Sequence, residues 1–149
     1  MASIRRRILT AVVTQLNVVS PAGVPVAALN RTFTHDLAEL PALTVYSVRE
    51  DGEVVGGGKG PITRRQFAFA CEALASGDAI EDALDPILVH VTKQLNGQRL
   101  SEGGAVITHE VQESTTEWEF EQLEVRLGRA TIEFVVGYQT LTADLEATK

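Results

Sequence analysis

The chain has one cysteine, one tryptophan and one methionine among its 149 residues. A single thiol allows no internal disulfide and suits a reducing compartment. No apolar run approaches the roughly 20 residues of a membrane span, so no membrane partner is expected. Behind Arg5, Arg6 and Arg7 the apolar stretch is short and broken by Thr10, Thr14 and Gln15. It lacks a convincing cleavage site, and a signal peptide is not expected. Without export, the sequon Asn30-Arg31-Thr32 has no glycosylation to report. Metal-ligand spacing is missing as well: His35, His90, His109 and Cys71 form no CxxC or HxxxH pair. Neither a metal nor another cofactor is expected. Positive charge is scarce, with 13 Lys and Arg against 20 Asp and Glu, for a net charge of −7. That balance opposes a broad grip on nucleic acid. A polyanion passing nearby would be repelled rather than held.

What is present is ordinary for a globular chain, with 44% apolar and 22% charged residues. One domain of this length buries about 68–70% of the surface exposed by its unfolded form. The chain is organised around the stretch from Arg64 to Gly97. Arg65 to Glu72 alternates, with Phe67, Phe69 and Cys71 on one face, which predicts a half-buried strand. After Ala75-Ser76-Gly77 the period changes. Ile80, Leu84, Ile87, Leu88, Val91 and Leu95 make one helical stripe. Asp78 with Glu81 fits a capping box at its start, and Asn96-Gly97 offers a left-handed end. Pro86 predicts a break or kink, because it cannot donate to the carbonyl of Asp82.

A first helix is expected from a Ser3 cap to about Leu16, with Ile4, Ile8, Ala11, Val12 and Leu16 as its stripe. Arg5, Arg6 and Arg7 fall in its first turn, where the helix dipole disfavours cations. Either an acidic partner meets them or they form a solvated basic turn, the blander and preferred reading. Val26 to Phe33 suggests a weak strand, and Thr34 to Glu39 an irregular segment. Leu40 to Val48 is a clear strand, led by Pro41 and with Leu43 and Val45 on one face. Glu50-Asp51-Gly52 reads as a turn, opening a mobile glycine-rich excursion from Gly52 to Gly60. Gln98 to Gly104 reads as a connection and Ala105 to Gln112 as an alternating segment. From Ser114 to Phe120, Trp118 and Phe120 oppose Glu117, Glu119 and Glu121. The last strand runs over Ala130 to Thr140, with Ile132, Phe134, Val136 and Tyr138 facing the core. The expected fold class is α+β: a mostly antiparallel sheet with two main helices packed on it, in a single domain over residues 1–140. Residues 141–149 are expected as a flexible tail.

None of the polar groupings amounts to a catalytic constellation. Lys59 among Gly56, Gly57, Gly58 and Gly60 lacks the GxxxxGK[ST] context between a strand and a helix, since Gly60-Pro61 and a strand follow. Cys71 shares the apolar face of Phe67 and Phe69. A buried inert thiol is favoured over a nucleophile paired with His90 or His109. His90 beside the helix stripe reads as half-buried and structural. The cluster Glu117, Glu119, Glu121 and Glu124 suits an acidic surface stripe better than paired acid–base work.

Several features together resemble the lambda-type tail terminator family of tailed bacteriophages, the minor tail protein U family. They are the N-terminal helix and the proline-led strand Leu40-Pro41-Ala42-Leu43-Thr44-Val45-Tyr46. The hairpin with a long variable loop, the helix bearing Ala83-Leu84-Asp85 and the closing strand Val136-Gly137-Tyr138-Gln139-Thr140 complete the pattern. It covers roughly residues 1–140 in order and spacing. The glycine-rich loop, the Trp118 ribbon and the C-terminal tail depart from it. The resemblance implies a non-enzymatic homo-hexameric ring on the head-proximal end of the tail tube. Such a ring stops tube polymerisation and presents a surface to the neck. Its partners are then its own copies, the tail tube protein and a neck or head-completion protein, with DNA passing through the channel without specific binding. Its place is the virion tail, assembled in the host cytoplasm. The candidate assembly interface comprises Arg5, Arg6 and Arg7 together with Val54, Val55, Gly56, Gly57, Gly58, Lys59 and Gly60. Two other readings stand beside it: a neck or head-completion connector, and a small nucleotide-binding enzyme using Lys59.

Overall fold

The computed structural model describes residues 3–29, 40–55, 61–122, 126–141 and 144–148. The elements run α1 (Ile4–Asn17), β1 (Ala27–Leu29), β2 (Ala42–Val55), β3 (Ile62–Ser76), α2 (Ile80–Leu95), β4 (Arg99–Glu102), β5 (Ala105–Glu110), β6 (Gln112–Gln122), β7 (Arg126–Leu141) and β8 (Asp144–Thr148). The main sheet has the order β1-β2-β3-β7-β6, with β8 also on β7. β1 runs parallel to β2, and the remaining pairings are antiparallel. β4 and β5 make a separate two-stranded hairpin. The fold is therefore α+β, as its alternating strands and two amphipathic helices predict.

Both helices lie on one face of the sheet. Phe67, Phe69 and Cys71 of β3 and Ile132, Phe134 and Val136 of β7 are buried there, with the stripes Ile4, Ile8, Val12, Leu16 and Ile80, Leu84, Ile87, Val91, Leu95 closing over them. Phe69 stacks on Phe134 with ring centroids 5.5 Å apart. Each large apolar side chain fully buried here contributes roughly 1.5–3 kcal/mol. Among the described residues the opposite face carries no helix. Small residues in mid-sheet, Ala68 and Ala70, are buried there, beside Arg49 and Tyr46 in register. Ion pairs spread over this face: Arg49 to Glu133 at 2.5 Å, Arg129 to Glu72 at 3.5 Å and Arg129 to Glu119 at 3.5 Å. Tyr46 donates to Glu72 at 3.2 Å. Its phenol is pushed up, first by burial and then by the Glu72 carboxylate.

Local signals set the helix ends only in part. Ser3 caps α1 as expected, its hydroxyl accepting from the Arg6 N–H at 3.3 Å. Asn17 closes the other end by a different device. Its side chain accepts from the Ala27 N–H at 2.9 Å and donates to the Ala27 carbonyl at 3.1 Å. This amide stands in for a strand partner and pins β1 to α1. The capping box at Asp78 and Glu81 does not form. Ala79 occupies the cap position of α2 with no side-chain cap bond, two turn residues after Gly77. Pro86 does not break α2, which runs on to Leu95. Pro86 and Asp82 both lie on the exposed side, so the carbonyl left without a donor meets water. Beyond the helix, Gly97 takes the left-handed conformation, φ 76°.

Three expected irregular stretches are strands. β2 does not turn at Glu50-Asp51-Gly52. After a bulge between Ser47 and Arg49 it continues to Val55, pairing Gly52 with Arg65, Glu53 with Arg64 and Val54 with Thr63. The ladder outweighs the local turn signal, because the closure cost of bringing the two strands together is already met and each added pair gains ladder hydrogen bonds and cross-strand contacts. The connection at Gln98 to Gly104 contains β4, which returns through Gly103-Gly104 to pair with β5. Asp144–Thr148, expected within a loose tail, pairs as β8 with β7. Its short polar–apolar alternation suits a strand but is too brief to announce one. His35, Asp36, Gly56 to Gly60 and Glu124 lie outside the described residues.

Candidate functional site

The three arginines of α1 part company in the structure. Arg5 reaches Glu50 of β2 at 3.2 Å. Arg7 grips Glu102 of β4 with Nε at 2.9 Å from both carboxylate oxygens and a terminal nitrogen 2.7 Å from one. Such a forked pair has fixed geometry. It holds the Glu102 carboxyl below its usual range, chiefly through the donated hydrogen bond. Arg6 alone projects as an exposed side chain. The acidic partner sought for this turn therefore exists, but for Arg5 and Arg7 it is supplied within the chain. The solvated-turn reading holds for Arg6.

Glu50 is the junction of the site. Its side chain is 10% exposed. It takes Arg5 from α1, Arg65 of β3 at 3.8 Å and the hydroxyl of Tyr138 from β7. Arg65 also donates to Thr140 at 3.0 Å. The Tyr138 phenol is pushed up, first by burial and then by its bond to the Glu50 carboxylate. Four elements thus meet at one carboxylate, and no local signal marked it: Glu50 read as part of a turn. Its partners lie far away in sequence, so only the fold collects them.

Beyond Glu50, β2, β3 and β7 continue together as a three-stranded arm of the sheet, with β3 paired to β7 as far as Leu141. Val54 and Val55 are ladder residues, opposite Thr63 and Ile62, and not anchors within a loop. Val54 is 62% exposed. Gly56, Gly57, Gly58, Lys59 and Gly60, which join the two strands, lie outside the described residues. The structure therefore joins the arginine turn to the base of the arm through Arg5, Glu50 and Arg65. The next element after Pro61 is a strand, which a phosphate loop does not have.

The remaining polar candidates stay apart. Cys71 is 1% exposed, and burial pushes its thiol up and keeps it protonated. His90 is buried more fully than its place beside the stripe suggests, with Nε2 2.9 Å from the Leu16 carbonyl. A carbonyl only accepts, so this nitrogen bears the proton and fastens α2 to α1. Among the described residues no group of three or more His, Cys, Asp or Glu is placed to hold a metal. In β6 the two faces alternate as read, but Trp118 and Phe120 are exposed along with the glutamates. Alternation tells which residues share a face, and not whether anything covers it.

No protein-family model matches the chain, and no curated protein matches it by sequence. Solved structures do. One chain of a structure described as "Virion of native gene transfer agent (GTA) particle" is similar with a TM-score of 0.60 at 15% identity. The match covers 91% of this chain and 93% of that one. At this identity the likeness is one of fold.

Proposed function

We propose that this chain is a structural protein of a phage-like particle, a tail terminator that closes the head-proximal end of a tail tube as a ring. The observation that carries the reading is the nearly end-to-end fold likeness to a chain of the gene transfer agent virion. Two features agree with it. The order of helix, hairpin, helix and closing strand, on which the tail-terminator resemblance rests, is the order of α1, β2–β3, α2 and β7. The acidic balance, −7 overall, would let DNA pass without being held. The work is mechanical and needs no metal, cofactor or catalytic group. Its partners are further copies of itself, six by analogy, together with the tube protein and a neck or head-completion protein. Arg6, Val54 and the segment with Lys59 lie at the candidate contact.

Head-to-tail contacts close into rings only if the rotation between copies closes. The deciding measurement is the mass of the assembly in solution, with and without tube protein, followed by images of purified particles. A six-copy ring seated on the tube is expected. Single copies in the finished particle would sink the proposal, and a ring against the portal would make the chain a neck connector instead.

A further inference from the structure

We propose that β6 is a docking edge for a cationic, extended segment of another protein, which adds to the sheet as a further strand. β6 ends the sheet, and among the described residues it pairs with β7 alone. The Glu113 N–H at its start donates to the Asn96 side chain at 3.1 Å. Beyond that residue no strand among the described residues pairs with its outer row, and an open edge is a template for strand addition. Its positions are exposed throughout, apart from half-buried Thr116.

The two faces of this edge select the partner. On the helix side Trp118 and Phe120 are 43% and 44% exposed, with their rings stacked at 6.4 Å. Arg126 lies over the Phe120 ring at 5.9 Å. The aromatic pair forms one wall of a groove of about 450 Å³, and Glu81, Asp82 and Asp85 of α2 form the other. On the far face stand Glu117, Glu119 and Glu121. Arg129 reaches Glu119 at 3.5 Å. No ion pair among the described residues reaches Glu117, Glu121, Asp82 or Asp85.

An added strand turns successive side chains to opposite faces. One set would meet the aromatic pair, and the other would meet the row of glutamates. Apolar residues alternating with Lys or Arg satisfy both. A second copy of β6 does not, because Glu117, Glu119 and Glu121 of each strand would then face one another. The same row repels nucleic acid. This surface fits its partner whether or not the chain caps a tube.

Trp118 is the only tryptophan in the chain, so its fluorescence reports on this edge. The full chain is titrated with three synthetic peptides of about eight residues, the reach of a short added strand. One alternates Lys and Val, one has the same composition in two blocks, and one alternates Glu and Val. The alternating Lys–Val peptide is expected to blue-shift Trp118 emission and to bind about tenfold more tightly than either control, as a few cross-strand charge pairs allow. Binding weakens as salt is raised. Phe120→Ser is expected to weaken it about fivefold with an unchanged melting temperature, since the ring is partly exposed. Should that variant unfold, Glu117→Lys with Glu121→Lys tests the same edge and should abolish Lys–Val binding. Unmoved Trp118 emission, equal binding by the block peptide, or full binding by the charge-reversed variant would each overturn strand addition.

Discussion

Gly128 in β7 lies directly against Ile80, the first residue of α2: a Cβ built on the glycine would overlap Cγ2 of the isoleucine. Ile80 is 2% exposed and belongs to the core, so it has little room to retreat. α2 thus begins without a side-chain cap bond and with its first residue packed on β7. Gly128→Ala should destabilise the fold by about 1–3 kcal/mol, as overpacking does. For a chain of this size that lowers the melting temperature by about 2–4 °C per kcal/mol. Adding Ile80→Ala should make the double variant more stable than the sum of its single changes predicts, because the two residues share one space. An unchanged melting temperature for Gly128→Ala would refute the contact.

Phe134 is fully buried in mid-strand and stacks on Phe69. Phe134→Ala should cost about 3–5 kcal/mol, the usual range for removing a buried aromatic ring. Urea unfolding gives the number directly, and a midpoint unchanged within error would mean that the ring does not hold the core.

These two residues illustrate how legible the sequence was. Phe134 announced itself, because alternation over Ile132, Phe134, Val136 and Tyr138 is a local pattern. The stripes of α1 and α2 were equally plain, and with the strands they gave the α+β class. The cap of α2 was not: Asp78 and Glu81 satisfy a local capping rule, yet no side-chain cap bond forms, and the Ile80–Gly128 contact is tertiary. The turn at Gly52 failed for a related reason. Glycine and charge dominate that window, but pairing with Arg64 and Arg65 decides the conformation. Of the candidate site, the arginine turn was visible. Glu50, which holds it to β3 and β7, was not, because its partners come from three separate segments.

Stability should fall at alkaline pH, and Tyr138 should contribute to the fall. Its phenol is raised above the usual 10.0 by burial and by Glu50. Tyr46 is raised in the same way beside Glu72, and the Cys71 thiol is raised by burial. Below about pH 7.5, a unit under the unfolded thiol's value, these groups are protonated in both states and add no pH dependence. As pH rises through the unfolded values, the thiol's near 8.5 and then the phenols' near 10, the unfolded chain loses protons that the folded chain keeps. The unfolded state then binds fewer protons, so the slope of stability against pH is negative. Tyr138→Phe should lower stability at neutral pH, because the bond to Glu50 is lost, and should flatten the decline above about pH 10. Urea midpoints across that range test it. Equal slopes in both proteins would show that Tyr138 does not hold its proton on folding.

Arg6 separates folding from assembly. It lies in the first turn of α1, where a cation is disfavoured and an anion gains about 0.3–1 kcal/mol. Arg6→Glu should therefore leave the isolated chain as stable as before, or slightly more so. If Arg6 meets an acidic neighbour in the ring, the same change should reduce ring yield with tube protein. Arg5→Glu is the contrasting case. It would place a second carboxylate beside Glu50, so it should lower the melting temperature of the single chain. Loss of stability on Arg6→Glu would contradict the exposed placement, and normal ring yield would remove Arg6 from the interface.

The segment joining β2 to β3 can be tested without disturbing the sheet. Deleting Gly56 to Gly60 outright would leave Pro61 alone between the paired residues Val55 and Ile62. One residue cannot close a hairpin, so that change would unzip the arm and confuse folding with function. Replacing Gly56 to Pro61 by Asn-Gly is the cleaner experiment, because a two-residue Asn-Gly turn matches the twist of paired strands. A shorter connection also costs slightly less closure entropy. The isolated chain should therefore melt at the same temperature or higher. Val54 remains exposed and in register, so the arm keeps its apolar tip while Lys59 and its glycines are gone. If that segment meets the tube or a neighbouring copy, rings should fail to form on tube protein, and tails should lose length control or fail to join heads. Normal tails and normal ring mass with the shortened hairpin would confine any contact at this end to Val54, Val55 and the strands themselves.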